Sequence, residues 1–394
     1  MMYNTTAKEG IMQTDYSAPG AYRAGRRRVT VRRPNNSTFD AQLYYPATAT
    51  GNSAPYDGSG APYPAISFGH GFLQPPERYR STLEHLATWG YFVIATESAL
   101  DFFPDHQAYS EDMRHCLTYL EQQSASSSSW LFRQVATERF GISGHSMGGG
   151  ASILAAAADT RIKAVANLAA AETNPSAIRA SANVVVPHSL ISGSEDRIVP
   201  LRENGLRMYN AGFAPKLLPV IQGGWHCGFQ DTSVFGCDSG SLPRATQLQL
   251  TRRLLTAFFE LYLRGNLAAW DWVWGDAVRK DPLIQLTAES GVLLEPDYTT
   301  RATTAPRVVV HRLFVRNRSR YPQQYAILIA GNQWRTEARP ATTPIVAPNG
   351  SAVVEIAVSV PRTRPPAQDV ATVRALSLRD GGTMAVGTIR TVLR

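Results

Sequence analysis

ERFGISGHSMGGGASILAAAA, residues 138–158, is the stretch around which the chain is organised. Arg139 to Ser143 is a short, mostly apolar run flanked by glycine, too short for a helix, and reads as a buried strand. Gly144-His145-Ser146-Met147-Gly148 follows, then Gly149, Gly150 and an alanine-rich helical run. Strand, sharp turn and helix are what the Gly-x-Ser-x-Gly elbow requires. The elbow strains the backbone at Ser146, so the residues two before and two after must let strand and helix approach, which glycine at 144 and 148 allows. The turn lifts the Ser146 hydroxyl to the carboxyl end of a sheet, and the helix from Met147 aims its positive end at the same point. Alone, five residues with two glycines read equally well as a tight turn; partners downstream decide between the two.

A serine hydroxyl needs a base to take its proton, and the base needs an acid to hold its tautomer. In this architecture acid and base follow the serine in that order, each at the end of a later strand. Residues 184–200, VVVPHSLISGSEDRIVP, form an apolar run ending at Gly193 and a polar turn that carries Asp196, with Glu195 as its competitor. Residues 217–226, LLPVIQGGWH, form another strand that ends in Gly223-Gly224, with His226 just beyond. Order and strand-end placement select Ser146, Asp196 and His226, ahead of His70, His145 and His188 as bases. Acyl transfer also needs two oxyanion donors. Met147, after the nucleophile, offers one N–H; the run PAISFGHGFL at 64–73 offers the other from Phe72, with Gly71 as the alternative.

The motifs GHSMGGG at 144–150, SEDRIVP at 194–200, QGGWH at 222–226, GHGF at 69–72 and LATWGYFVIATES at 86–98 together resemble the α/β-hydrolases of the cutinase and polyester-hydrolase group. Dienelactone hydrolases, platelet-activating-factor acetylhydrolases and chlorophyllases are similar. The resemblance covers about residues 16 to 265 and implies triad roles for Ser146, Asp196 and His226 and oxyanion roles for Phe72 and Met147. It departs at one place. Polyester-degrading members usually carry a tryptophan in the loop after the strand that follows the nucleophile helix; here NLAAAETN stands there, with Ala171 and Glu172, which argues against a flat aromatic clamp.

At 394 residues the chain exceeds one ordinary core, and two domains are expected: an α/β-hydrolase over 16–295, a linker over 296–306 and an all-β accessory domain over 307–394. The last part reads as β-rich runs such as RVVVHRLFVRN and SAVVEIAVSVP, and the segment TPIVAPNGSAVVEIAVSVP resembles bacterial Ig-like sandwiches. Residues 1–15 lack the basic start and apolar centre of a secretory signal and read as a disordered tail. No apolar stretch is long enough for a membrane span.

The net charge of +8 is carried by arginine, since lysine occurs only at 8, 163, 216 and 280. Arg26, Arg27, Arg28, Arg32 and Arg33 cluster in RRRVTVRRPNNS, which reads as an edge hairpin whose charges discourage strand association, in preference to a nucleic-acid site. Cys116 recurs with Met113, Leu117 and Leu120 at helical spacing and belongs to a core. Cys227 and Cys237 bracket GFQDTSVFG directly after His226. A disulfide there would steady the base and favour a secreted or extracytoplasmic location; two free thiols are the other state. The cysteines lack zinc-like spacing, so no metal is expected. Trp225 is expected to line the substrate cleft beside Phe72, with a packing role as the alternative.

Residues and resemblance together set the expectation of a serine carboxylic ester hydrolase without cofactor, acting on polymeric or small esters, polyester or lipid. An amide hydrolase with the same triad is the first alternative. A non-catalytic binding protein is the second.

Overall fold

The computed structural model describes residues 14–394; the rest of the expected tail lies outside the described residues. Ten strands form one sheet: β1 (Arg23–Arg32), β2 (Thr38–Ala47), β3 (Gly51–Asn52), β4 (Tyr63–Gly69), β5 (Phe92–Thr96), β6 (Val135–His145), β7 (Ile162–Leu168), β8 (His188–Gly193), β9 (Lys216–Ile221) and β10 (Ile284–Glu289), in the order β10-β9-β8-β7-β6-β4-β5-β2-β1-β3. From β5 through β9 neighbours are parallel, so the loops after these strands gather at one edge. The β1–β2 hairpin and β10 add antiparallel margins.

Side-chain alternation explains the layers. Phe92 and Ile94 of β5, Val165 of β7 and Leu218 and Val220 of β9 face one core with helices α2 (His106–Ala125) and α3 (Met147–Ala158). Val93 and Ala95, Ala164 and Ala166, and Leu217 and Ile221 face the other, under α1 (Arg80–Thr88) and α6 (Arg244–Arg264). The short α4 (Ala177–Ser181) and α5 (Gly205–Ala211) complete the first layer. A strand read with period two therefore buries both faces, and each buried Leu or Phe contributes about 1.5–3 kcal/mol. Cys116 sits fully buried in α2, where burial pushes its thiol well above its ordinary pKa.

Three arginines of the hairpin are engaged by carboxylates within the chain. Arg26 meets Glu84 at 2.6 Å and Arg28 meets Glu97 at 2.7 Å. Arg33 grips the buried Asp112 with two bonds, at 2.6 and 2.7 Å, and so ties the hairpin to α2.

Two four-stranded sheets follow: β11 (Val292–Glu295), β13 (Val308–Asn317), β16 (Ser351–Ser359) and β15 (Thr336–Arg339) in one, ordered β11-β13-β16-β15, and β12 (Tyr298–Thr303), β18 (Met384–Leu393), β17 (Ala367–Ser377) and β14 (Tyr325–Ala330) in the other, ordered β12-β18-β17-β14. Leu313, Val315, Val354 and Ile356 of the first pack on Tyr325, Ile327, Val373 and Ile389 of the second. The architecture is an α/β-hydrolase with an all-β C-terminal domain. Two stretches differ from expectation. Val292–Glu295, placed at the end of the hydrolase, is the edge strand β11 of the β domain. The stretch 296–306, read as a linker, contains β12, paired in parallel with β18; its polar, threonine-rich sequence hid a strand that exposes most of its side chains. The two units meet at the end of α6, where Tyr262 Oη lies 3.1 Å from Thr383 Oγ1 and accepts the Trp274 indole N–H at 2.8 Å.

Candidate active site

Ser146 stands between β6 and α3 with φ 56° and ψ −121°, a conformation that costs about 1–3 kcal/mol in a residue with a side chain. The surroundings impose it. Strand end and helix start are so close that a Cβ at Gly144 would lie 2.3 Å from the Gly148 carbonyl oxygen, and one at Gly148 would lie 2.2 Å from that of Gly69. Neither neighbour is a side chain that could turn aside. Gly148→Ala is therefore expected to push the Gly69-His70 backbone away from the elbow, destabilising the protein by about 3 kcal/mol or more and lowering kcat about 100-fold, because the displaced strand carries the candidate oxyanion loop. Thermal melting together with ester hydrolysis checks this; a variant with native Tm and kcat would show that the elbow is slack.

The loop after β8 brings Asp196 to the same edge. Its Oδ1 accepts the backbone N–H groups of Ile198 at 3.0 Å and Val199 at 2.7 Å, and its Oδ2 lies 2.8 Å from Nδ1 of His226, which follows β9. Both side chains are buried. Glu195, the competing acid, turns the other way and accepts from the Ser241 N–H and hydroxyl. The competing bases are engaged elsewhere. His70 is held between the carbonyls of Gly71 and Ser98, at 2.8 and 2.7 Å, and its burial lowers its pKa. His188 is buried in β8, and burial depresses it to about 4. His145 packs its ring 4.4 Å from that of His226.

Ser146, His226 and Phe72 line one cleft of about 180 Å³, together with Ile198, Gln230 and Phe235. Phe72, Ile198 and Phe235 expose their side chains around it, so the rim is apolar while the floor holds the ionisable groups. A larger cavity, about 660 Å³, lies at the junction with the β domain among Trp270, Trp274, Arg279 and Arg318. It contains none of the reactive side chains, so its size does not make it the site of chemistry.

The two candidate oxyanion donors in the first loop are now distinguishable. The Gly71 N–H donates to Tyr79 Oη at 3.0 Å. That of Phe72 has no acceptor among the described residues. Met147 opens α3, where the first N–H groups of a helix have no partner within it.

Cys227 and Cys237 are joined in a disulfide. Within the loop they close, Phe235 is fully exposed. Just beyond it, the Asp238 carboxylate accepts the backbone N–H groups of Arg197, His226 and Cys227, at 3.2, 3.0 and 3.1 Å. Trp225 does not line the cleft, contrary to expectation. It is buried beneath the loop, where its indole N–H donates to the Leu242 carbonyl at 3.1 Å and Arg244 covers its ring. Its neighbour in sequence faces the cleft, but the extended backbone there sends alternate side chains to opposite sides. Ala171 and Glu172 have structural tasks: the Ala171 N–H donates to the Ser146 carbonyl and the Glu172 carboxylate accepts from the Ile178 N–H at the start of α4.

A family model described as PETase, PET hydrolase-like, matches residues 17–231, more than half of the chain. The chain belongs to the PET hydrolase-like family. It is accordingly an ester hydrolase of the cutinase and polyester type. The PET hydrolase-like region includes Phe72, Ser146, Asp196 and His226, and it stops before Cys237, α6 and the β domain.

Proposed function

We propose that the chain is a serine carboxylic ester hydrolase working through an acyl-enzyme. The observation that carries this reading is a strained, cleft-facing Ser146 sharing that cleft with a histidine whose far nitrogen is held 2.8 Å from a buried carboxylate. Ser146 Oγ attacks the ester carbonyl carbon as His226 Nε2 takes its proton. The tetrahedral oxyanion is held by the N–H groups of Met147 and Phe72. Collapse breaks the bond to the alcohol, which leaves with the proton from His226; water then repeats the sequence on the acyl-Ser146 and releases the acid. Asp196 fixes the imidazole orientation and stabilises the imidazolium. The apolar rim of Phe72, Ile198 and Phe235 supports an ester with a hydrophobic body as substrate. The disulfide supports an oxidising, extracytoplasmic setting. The β domain, whose sequence resembles Ig-like sandwiches, serves as an accessory unit.

The test is covalent labelling. A fluorophosphonate is expected to add one phosphonyl group to the peptide that contains Ser146, with parallel loss of p-nitrophenyl acetate hydrolysis. Activity that survives stoichiometric labelling, or an active protein that resists the label, refutes the mechanism.

A further inference from the structure

Tyr79 ends the short turn Pro76–Tyr79 ahead of α1, is fully buried, and has no part in the acyl-transfer steps above. Its hydroxyl meets three groups. It accepts the Gly71 N–H at 3.0 Å and Gln230 Nε2 at 3.2 Å, and it lies 2.8 Å from Nδ1 of His145. A phenol has one proton and two lone pairs. In the arrangement where both lone pairs are taken by these N–H donors, the Tyr79 proton faces His145 Nδ1 and that of His145 sits on Nε2, which has no hydrogen-bond partner among the described residues.

Each of the three partners belongs to a different part of the candidate site. Gly71 precedes Phe72, the oxyanion donor. His145 precedes Ser146, and its ring lies against that of His226. Gln230 follows the turn His226–Phe229 that begins at the base. One hydroxyl therefore joins the segments that carry nucleophile, base and oxyanion donor, which are otherwise distant in sequence.

We propose that the Tyr79 hydroxyl is a positioning group, setting the separation of the Phe72 N–H, Ser146 and His226 and holding His145 as a neutral imidazole beside the base. This rests on the serine-hydrolase reading above. Burial, and after it the neighbouring His226, holds His145 well below the usual histidine range. A neutral ring there matters because a cation would oppose the imidazolium that forms on His226 in each acyl transfer. The Tyr79 bond adds to this by giving Nδ1 a donor to accept from, so that the ring has no need of a second proton.

The test is Tyr79→Phe, which keeps the ring that packs on Phe68 and removes the hydroxyl. The expected result is kcat for p-nitrophenyl acetate lower by about 30- to 100-fold, with KM within about threefold, as for a displacement on the order of 1 Å in the reacting groups. Fluorophosphonate labelling of Ser146 should slow by a similar factor. A purely structural tyrosine would lower Tm and leave kcat of the folded protein unchanged, and that outcome overturns the proposal. A rise in KM alone overturns it too, since Tyr79 would then be a substrate contact. If Tyr79→Phe does not fold, Gln230→Leu removes one of the three bonds and keeps the other two; a fall in kcat of roughly three- to tenfold at constant KM is expected there, and wild-type kcat refutes the proposal. Failure of the wild type to take the label would count against the serine mechanism itself. Equal labelling rates in wild type and Tyr79→Phe would count against the role of Tyr79 alone.

Discussion

Ser146→Ala is expected to lower kcat on p-nitrophenyl acetate by roughly 10⁶-fold, with KM and Tm close to wild type. The substitution removes the atom proposed to form the covalent bond and leaves everything else standing. Alanine has the same Cβ as serine, so the backbone at φ 56° gains no new clash and loses no side-chain cap, since the Ser146 hydroxyl caps no N–H of α3. The residual rate should still exceed that in water, because the N–H groups of Phe72 and Met147 stay in place. Measured after active-site titration of the wild type, equal kcat in the two proteins would mean that hydrolysis occurs elsewhere on the chain.

Asp196→Asn should cost roughly 10⁴-fold in kcat at nearly unchanged KM. The carboxylate uses its two oxygens differently. Oδ1 receives two backbone N–H groups and Oδ2 faces His226 Nδ1. An amide can keep the first set only by turning its NH₂ toward the histidine. His226 must then accept at Nδ1 and carry its proton on Nε2, where it cannot take one from Ser146. The opposite orientation would aim NH₂ at the N–H groups of Ile198 and Val199, donor against donor. The geometry therefore forces the wrong tautomer while preserving the fold, and a fall of less than tenfold would show that Asp196 is not the acid.

What was legible in the sequence was local. The elbow could be read because its glycines, its serine and the flanking strand and helix are contiguous, and because steric contact between Gly144 and Gly148 is a property of one turn. Asp196 and His226 were legible as strand-end residues in the right order. Trp225 was misjudged since alternation in an extended segment depends on which side the partner sheet lies, and position in sequence does not fix that. Residues 298–303 were misjudged since an exposed strand lacks apolar alternation. Tyr79 and Asp238 left no signal at all: each works through hydrogen bonds to groups tens of residues away or to backbone N–H groups, and neither kind of contact constrains neighbouring residue types.

The Asp238 carboxylate joins the backbone beside the acid to the backbone of the base, from a position just outside the cross-linked loop. Residues 227–237 are thus fastened twice, by the disulfide and by the three N–H groups that Asp238 accepts, so the segment carrying the candidate base is tied to the segment carrying the candidate acid through the main chain as well as through the Asp196–His226 contact.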